Sequence, residues 1–474
     1  MIHQRAIENK MRTIPANQVY RVLYKYGYLG YAALLVLSVL FFKERAIFMD
    51  SAFHLFHIIV TDDFAIQNHR FGAVVTQVFP LLSSRLGLSL NITILIYSAG
   101  IILYYAACYF ICGGILKQHA YALLLLLFNL LLATDTFFWM HSELPQGCAA
   151  MIVTFALMSS TANRKHLFLK YVAIAGLLIV VAFFHPLIFF PATFLFLYFI
   201  QQSDKRAARI LLVISFAVYL AAWYVKLRFY KTPYDTTAMA SATDMFARVR
   251  HFFALYSTKM FLKDCIGKFS WLSIGFIFTL FFYARRKKWI NPLLYVFFVT
   301  GYILLINTSY PGTATPGFYI ENMYLPLGIF VAAPLIFELG GSYSTSVATI
   351  ALVFVMATGI ARILFVSDVY TSRLDWEREF LKLHENDKLI VHERHVPSAT
   401  LIMTWATSYE FWLLSTIENK KTASIIISSR LDELIPPPGK SRSFITQPAG
   451  YPYSMLPARY FIFEDTVSEY KVIR

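Results

Sequence analysis

Apolar segments of membrane-crossing length recur through the first three quarters of the chain. A transmembrane helix needs about 20 mostly apolar residues, and fewer when it packs inside a bundle. Apolar runs of this kind occupy residues 28–42, 92–115, 119–134, 146–161, 167–184, 186–200, 210–226, 270–284, 290–307, 324–338 and 346–366. The sequence therefore predicts an all-α polytopic membrane protein with about 11 transmembrane helices.

The composition agrees with this class. Hydrophobic residues make up 58% of the 474 positions and charged residues 15%, whereas about a quarter of the residues in a soluble chain are charged. The formal net charge is +15. Because Lys and Arg collect in the cytoplasmic loops of membrane proteins, this excess does not predict a nucleic acid partner.

Charge density divides the chain into two domains. Residues 368–474 hold 13 Lys and Arg and 14 Asp and Glu, or 27 charges in 107 positions, which is the composition of a soluble domain. We predict a transmembrane domain over residues 1–367, with long outer loops at 43–91 and 227–269. The pattern of the following domain indicates a small α/β fold, with a helix at Trp405–Ser415 and strands at Lys388–His392, Ala423–Ser428 and Arg459–Glu464.

Basic residues set the expected orientation. With a cytoplasmic N-terminus, the short cytoplasmic segments carry the basic clusters Arg5 to Lys25, Lys117, Arg164-Lys165, Lys205-Arg206-Arg209 and Arg285-Arg286-Lys287-Lys288. This arrangement favours a hairpin at His185-Pro186, where proline removes a helix hydrogen bond. A single kinked span over residues 167–200 is the alternative. The last span then leads outward, so the C-terminal domain is expected on the extracytoplasmic face of the plasma (inner) membrane. Most acidic residues of the transmembrane domain fall on the same side.

The first outer loop contains a group of residues suited to chemistry. Asp50, His54 and His57 are spaced i, i+4 and i+7, which places them on one face of a predicted amphipathic helix. A carboxylate with two imidazoles can bind a divalent cation such as Mn²⁺ or Mg²⁺, or contact a phosphate, or place a general base beside its partner. Histidines that merely decorate a surface helix are the structural alternative.

Two further sets of outer residues can take part in a site. Asp62 and Asp63 are rival catalytic carboxylates, although adjacent acids often cap a helix. They precede His69 and Arg70, and a guanidinium suits a phosphate. Between the third and fourth spans, His141 and Glu143 lie against apolar helix ends and are expected to line the site.

Later outer segments offer more cations and one more acid. An amphipathic helix predicted over residues 245–263 carries Lys259 and Lys263 on its flank, where they bind either a specific lipid phosphate or ordinary head groups. Glu321 stands at the mouth of a span. Arg362 lies one turn from the outer end of the last span, where it either contacts the substrate or snorkels to the surface.

This layout resembles the GT-C superfamily of membrane glycosyltransferases, which use polyprenyl-phosphate-linked sugars. The resemblance covers the whole chain as architecture, and its motif-level contact is the acid that follows the first span, here Asp50, with Asp62-Asp63 as a rival. It implies that this acid acts as a general base or metal ligand and that a second outer acid, Glu143 by position, assists. The late-loop basic residue of many members has no match near Glu321.

The expected function is therefore transfer of a sugar from a polyprenyl-phosphate donor to a glycan, lipid or protein acceptor on the extracytoplasmic face, among membrane lipids. Arg70, Lys259, Lys263 or Arg362 would replace the missing late-loop cation. A polysaccharide polymerase or ligase and a lipid or sugar transporter (flippase) are the alternatives. Transporters usually place ionisable residues near the membrane midplane, whereas the predicted spans are almost free of charge apart from Arg362.

Overall fold

The computed structural model describes residues 16–161, 164–236, 245–286, 290–313, 315–339, 343–384, 388–434, 442–447 and 449–474. Each apolar segment that the sequence predicts as a span is mostly helical in this structure. Of the predicted basic clusters, five residues lie outside the described part of the chain: Arg5, Lys10, Arg12, Lys287 and Lys288. The protein is thus a mostly helical chain with a small sheet region near its C-terminus.

The helices up to the second long loop are α1 (Ala16–Leu40), α2 (Phe42–Ala46), α3 (Asp50–Thr61), α4 (Val74–Arg85), α5 (Leu90–Phe110), α6 (His119–Leu131), α7 (Glu143–Ser159), α8 (Leu167–Ala182), α9 (Phe189–Gln202) and α10 (Arg206–Phe229). The later helices are α11 (Met245–Val249), α12 (Tyr256–Ile266), α13 (Ser270–Arg286), α14 (Ile290–Ser309), α15 (Gly317–Tyr324), α16 (Pro326–Pro334), α17 (Thr345–Leu383), α18 (Ser398–Leu401), α19 (Thr407–Glu418) and α20 (Leu431–Leu434). Local sequence explains several starts. The hydroxyl groups of Ser89 and Ser344 accept hydrogen bonds from Ile92 N and Val347 N and so cap α5 and α17.

Several of these helices can cross a membrane. Among the described residues, six are long and apolar enough: Gln18–Leu40, Leu90–Ile115, Arg206–Phe229, Asn291–Ser309, Gly317–Glu338 and Thr345–Leu383. The pair Tyr256–Ile266 and Ser270–Arg285, bent by 81°, adds a seventh if it forms one broken span. Shorter apolar helices occur at His119–Leu131, Leu167–Ala182 and Pro186–Gln202.

The predicted break at His185-Pro186 separates two helices that return on each other. The C-terminal end of α8 lies beside the C-terminal part of α10, because Lys226 Nζ donates to the Ala182 carbonyl at 3.0 Å. The N-terminal end of α9 lies at the same level, since the Phe189 and Trp223 rings are 4.5 Å apart. Both helices pack along α10, so the two apolar runs form a hairpin rather than one kinked span.

Two features of the helices differ from the sequence prediction. The last candidate span does not end near residue 367, because α17 continues as one 39-residue helix into the C-terminal region. The helices also contain more charge than predicted. Lys226, Glu321 and Glu338 all fall within candidate spans. Lys226 and Glu338 are the last residues of the predicted runs 210–226 and 324–338, and Glu321 is included because its helix begins at Gly317, before the predicted run.

The C-terminal region is a small α/β unit, as its alternating pattern predicts. Strands β1 (Lys388–His392), β2 (Ser424–Ser428), β3 (Ser443–Ile445), β4 (Gly450–Pro452) and β5 (Lys471–Ile473) form two sheets. The three-stranded sheet has the order β2-β1-β5 and is parallel, with Lys388 opposite Ser424 and Leu389 opposite Lys471. Strands β3 and β4 pair in antiparallel fashion.

The predicted strand at Arg459–Glu464 is wrong. This segment is irregular, and its aromatic residues pack against α19 instead of joining a ladder. The Phe461 ring stacks on Trp412 with centroids 4.7 Å apart, and Trp412 Nε1 donates to the Tyr460 carbonyl at 2.8 Å. The buried aromatic residues of this segment produce the same apolar pattern in the sequence as a β-strand.

Helix α3 joins the helical bundle to this α/β unit. Its Phe53 ring contacts Trp405 and Tyr409, with centroids 5.7 and 5.3 Å apart. Phe56 inserts among the aromatic side chains of the unit, including Trp412 and Tyr451. The predicted amphipathic helix is therefore present, but its apolar face is covered by protein rather than by the membrane surface.

Candidate functional site

Asp50 stands at the first position of α3. Its Oδ2 atom accepts a hydrogen bond of 2.7 Å from Nε1 of Trp139. The pKa of Asp50 is raised to about 7, chiefly by burial and also by Glu143 and Glu410, against the opposing effects of the Trp139 hydrogen bond and of Arg70. A carboxylate with a pKa near 7 can take up a proton at neutral pH, which is what a general base requires.

The residue before Asp50 has a strained backbone that the C-terminal unit holds in place. Met49 has φ +46° and ψ −113°, a conformation that is costly for a residue with a Cβ atom. Its N–H donates to Glu410 Oε1 at 2.7 Å, and Arg373 donates to the same carboxylate. Arg373 Nη1 also donates to the Ile47 carbonyl at 3.2 Å. Residues far along the chain thus fix the start of α3.

Arg70 and Glu143 form an ion pair beside Asp50. Arg70 Nη1 and Glu143 Oε2 are 2.9 Å apart, and the two side chains are 13% and 8% exposed. A pair this well buried is only weakly screened by solvent. The Nε atom of Arg70 is also buried and has no hydrogen-bond partner among the described residues. Arg70 therefore carries a donor that an incoming anion could use.

Two buried histidines lie next to this pair. The rings of His54 and His141 overlap with centroids 3.6 Å apart, and Tyr97 Oη is 2.7 Å from His141 Nδ1. Burial lowers the pKa of His141 to about 3, with Arg70 adding to the effect, and burial lowers the pKa of His54 well below its usual value. Both imidazoles are thus neutral at physiological pH, and they act as hydrogen-bonding groups rather than cations.

Asp50, His54 and His57 have separate partners in this structure, and the metal set predicted from them stays a prediction. His54 Nδ1 is 3.1 Å from the Ala65 carbonyl, and the His57 ring packs against Phe53 at 4.4 Å. In the part of the chain that the structure describes, no group of three or more His, Cys, Asp or Glu side chains is arranged to hold a metal ion. Helical spacing placed the three residues on one stripe, but tertiary packing gave each a different partner.

A largely apolar cavity of about 310 Å³ opens beside Arg70. Cations and aromatic rings face it together. Its lining includes Arg70, His185, Phe189, Phe190, Trp223, Lys226, Tyr230, Lys231, Tyr234, Asp235, Leu305, Ile306, Tyr310 and Tyr319. Tyr319 also contacts Trp139, with ring centroids 5.4 Å apart, so the indole that binds Asp50 lies against a residue of the cavity wall.

Lys226 is a site residue that the sequence reasoning missed. Lys226 ends the apolar run predicted over residues 210–226. Its side chain is buried, and its Nζ atom donates to the Ala182 carbonyl at 3.0 Å. The sequence did contain a signal for this role: a lysine stands at the end of an otherwise apolar helix, just before a loop rich in aromatic residues. Buried ammonium groups are costly unless they serve an anion or a neighbouring acid.

Three of the predicted first-loop residues lie at the edge of the site or away from it. Asp62 pairs with Arg85 at 3.1 Å on the surface, with side chains 67% and 52% exposed. Asp63 Oδ1 accepts from the N–H of Phe64 at 2.7 Å, in the irregular segment that follows α3. His69 Nδ1 lies 3.1 Å from the carbonyl of Tyr230, a residue of the cavity wall.

The predicted basic helix at residues 245–263 is interrupted. A 3₁₀ turn at Phe252–Ala254 separates α11 from α12, and Lys259 and Lys263 are exposed on α12. Neither lysine lines the cavity beside Arg70. The apolar stripe was predicted as continuous because Val249, Phe253 and Tyr256 keep helical spacing across this turn.

Glu321 is occupied by contacts within the protein. Its carboxylate is fully buried and accepts hydrogen bonds from the N–H and hydroxyl groups of Thr134 and Thr136. Lys268 Nζ lies 3.3 Å from the same carboxylate and 3.4 Å from Asp135. With its oxygens engaged in this way, Glu321 ties the loop before α7 to α15.

Arg362 is likewise engaged with the backbone. Its guanidinium donates to the carbonyls of Leu130, Leu131 and Lys268. The first two carbonyls lie at the C-terminal end of α6, where the helix leaves acceptors without an intrahelical partner. Arg362 therefore caps a neighbouring helix instead of snorkelling to the surface.

Comparison of the chain with family models, curated proteins and solved structures found no match. Function has to be inferred from the chemistry of the side chains that meet at Asp50, at Arg70 and in the adjoining cavity.

Proposed function

We propose that the protein is an integral membrane glycosyltransferase of the GT-C type, which moves a sugar from a polyprenyl-phosphate donor to an acceptor on the extracytoplasmic face. The observation that carries this proposal is that Arg70 belongs both to the cavity and to the cluster of buried polar residues. Its guanidinium lines the apolar cavity and also pairs with Glu143 in the cluster that contains Asp50. A cation suited to phosphate thus adjoins both a largely apolar cavity and a candidate base.

The cavity has the chemistry that the donor requires. A polyprenyl phosphate combines an apolar, unsaturated chain with an anionic head. Phe189, Phe190 and Trp223 offer apolar walls, while Arg70 and Lys226 supply positive charge. Its volume of about 310 Å³ lies at the lower end of the range for small-molecule sites, enough for the head and the first part of the chain.

The reaction follows from this arrangement. The acceptor hydroxyl loses its proton to the Asp50 carboxylate, and its oxygen forms a bond to the anomeric carbon of the donor sugar. The bond between that carbon and the phosphate oxygen breaks, and polyprenyl phosphate leaves with the electron pair. Arg70 and Lys226 stabilise the charge that develops on the leaving phosphate. The Trp139 hydrogen bond holds the Asp50 carboxylate in position.

The same proposal includes the finer membrane arrangement. We propose about eleven spans, with the N-terminus in the cytoplasm and the C-terminal unit outside. This number adds the three shorter apolar helices, the bent pair and α7 to the six long helices. Asp50, Glu410 and the strands β1 to β5 then share the extracytoplasmic side, because α3 packs directly on the α/β unit.

A reporter experiment tests this orientation. A periplasm-type alkaline phosphatase reporter fused after Arg474 should be active, and the same reporter inserted at Arg286 should be silent. A cytoplasm-specific fluorescent reporter should give the opposite result at each site. An active phosphatase at Arg286 or a fluorescent C-terminal fusion would contradict the orientation, because the basic turns would then lie outside.

A transfer assay tests the activity itself. Purified protein in liposomes is expected to release the radiolabelled sugar of a polyprenyl-phosphate hexose to an added acceptor and to leave free polyprenyl phosphate. Because the sequence left a divalent cation open, parallel reactions contain EDTA, Mn²⁺ or Mg²⁺. A polymerase would instead lengthen an existing glycan from a diphosphate-linked donor. A flippase would move labelled lipid between leaflets without cleaving it, and either result would replace the proposal.

A further inference from the structure

A second cavity lies in the C-terminal α/β unit, at the carboxyl ends of its parallel strands. Glu393 directly follows β1, and Ser428 ends β2 and is followed by Ser429 and Arg430. These residues line a space of about 570 Å³. In parallel sheets, ligands bind in the crevice outside the carboxyl ends of the strands, so topology alone marks this edge as a place for a ligand.

The cavity combines hydrogen-bonding groups of both kinds. Its remaining lining consists of Met403, Thr404, Trp405, Glu433, Leu434 and Gln447. Gln447 Nε2 donates to the buried Ser428 Oγ at 2.6 Å, and Thr404 Oγ1 donates to Glu393 Oε2 at 3.3 Å. These bonds hold an amide and a carboxylate in fixed positions at the wall. Arg430 Nη1 lies 3.7 Å from Glu433 Oε2, and because both side chains are mostly exposed, Arg430 can turn from this contact toward a ligand.

Trp405 connects this cavity to the candidate active site. Its indole is partly buried and lines the cavity. The same ring meets Phe53 at a centroid distance of 5.7 Å in an edge-to-face contact. Phe53 stands three residues after Asp50, on the first turn of α3. A ligand held against Trp405 would therefore lie next to the helix that carries the proposed base.

We propose that this cavity binds a saccharide, and that the saccharide is part of the acceptor glycan. A sugar ring presents an apolar C–H face that packs on an indole, and its hydroxyl groups both donate and accept hydrogen bonds. Trp405 supplies the flat apolar surface, Glu393 accepts, Arg430 donates, and the Gln447 amide does both. The binding step stands on this geometry, and only its assignment to the acceptor rests on the proposed transferase function.

Binding is measured with the full-length protein in a detergent that has no sugar head group. Isothermal titration calorimetry uses maltotriose, mannotriose, chitotriose and galactotriose as separate probes. At least one is expected to bind, and Trp405→Ala should weaken that binding at least 10-fold. Because loss of the indole also removes the contact with Phe53, the rim variants Glu393→Gln and Gln447→Ala are measured as well, with an expected loss of 3-fold or more.

Two matched control variants test whether a loss of binding is specific to the cavity. Trp376→Ala removes a partly buried indole that stacks on Phe380, away from the cavity, and Lys420→Gln removes an exposed charge of the same unit. Both should bind the probe like the wild type. Absence of binding for all four trisaccharides, or equal losses in the control variants, would overturn the proposal. Saccharide binding in a protein that transfers no sugar would overturn the acceptor assignment and would count separately against the transferase function.

Discussion

Asp50→Asn is expected to lower sugar transfer about 100-fold or more while the protein still inserts and folds. Asparagine keeps the shape of the side chain and can still meet Trp139 Nε1 through its amide oxygen, but it cannot take up the acceptor proton. Loss of a general base usually costs this much in rate. The measurement is initial transfer velocity for purified protein, with thermal unfolding midpoints to confirm an intact fold.

The matched control is Asp62→Asn. Asp62 lies on the other end of α3, where it is exposed and paired with Arg85 on the surface, so its loss should change the rate less than 2-fold. If Asp50→Asn retains wild-type velocity, or if Asp62→Asn is equally damaged, Asp50 is not the base, and Glu143 becomes the next candidate.

The pH profile supplies a second readout for Asp50. Its raised pKa of about 7 means that the carboxylate form, which is the active one, is the minority below pH 7 and dominates above it. Wild-type kcat is therefore expected to rise about 10-fold from pH 6 to pH 8 and then to level off. The residual activity of Asp50→Asn should lack this rise. A purely structural Asp50 would leave the same profile in both proteins.

Arg70→Ala carries the second large expected effect, a loss of about 100-fold in kcat/KM for the lipid donor. In the proposed reaction the guanidinium stabilises the developing phosphate charge, and removal of one such donor typically costs 100-fold to 1,000-fold. Because Arg70→Ala also leaves the buried Glu143 carboxylate without its partner, the double variant Arg70→Ala/Glu143→Gln is compared with Glu143→Gln alone. Donor turnover should remain low in the double variant.

Lys226→Met and Lys259→Ala/Lys263→Ala separate the cavity from the membrane surface. Lys226→Met keeps the aliphatic stem and removes the charge beside the cavity, and a loss of about 10-fold in kcat/KM for the donor is expected. The two exposed lysines of α12 do not line the cavity, so their removal should change donor use less than 2-fold. Normal donor use in both Arg70 and Lys226 variants would place the phosphate elsewhere.

The positions of the helices could be predicted from the sequence because an apolar span is defined by the residues of one continuous segment. The apolar runs at 210–226 and 290–307 satisfy a length and hydropathy rule within one continuous segment, and both are helices. A break at His185-Pro186 was also indicated locally, because proline removes a helix hydrogen bond. Only the packing of α8 and α9 along α10 shows that the two runs form a hairpin. The strands Lys388–His392 and Ser424–Ser428 followed from short β-branched runs.

The individual site residues were accessible only in part. His141 and Glu143 could be chosen because they lie against apolar helix ends. Asp50 could be chosen for its place after the first span and Arg70 for its guanidinium, and the structure brings these four residues together. Glu321 and Arg362 also lie at the ends of apolar spans, but their side chains bind backbone and threonine groups of distant segments. Sequence gives the type of a group but not the partners that satisfy it.

The sequence by itself determined where the helices lie, that the chain divides by charge, and which polar residues stand near one expected face. Tertiary structure alone decided which of those residues share a site. Asp50 meets Trp139 across 89 positions, and Met49 is held by Glu410 across 361. Such contacts depend on how helices pack in three dimensions, and no spacing rule along the chain encodes them.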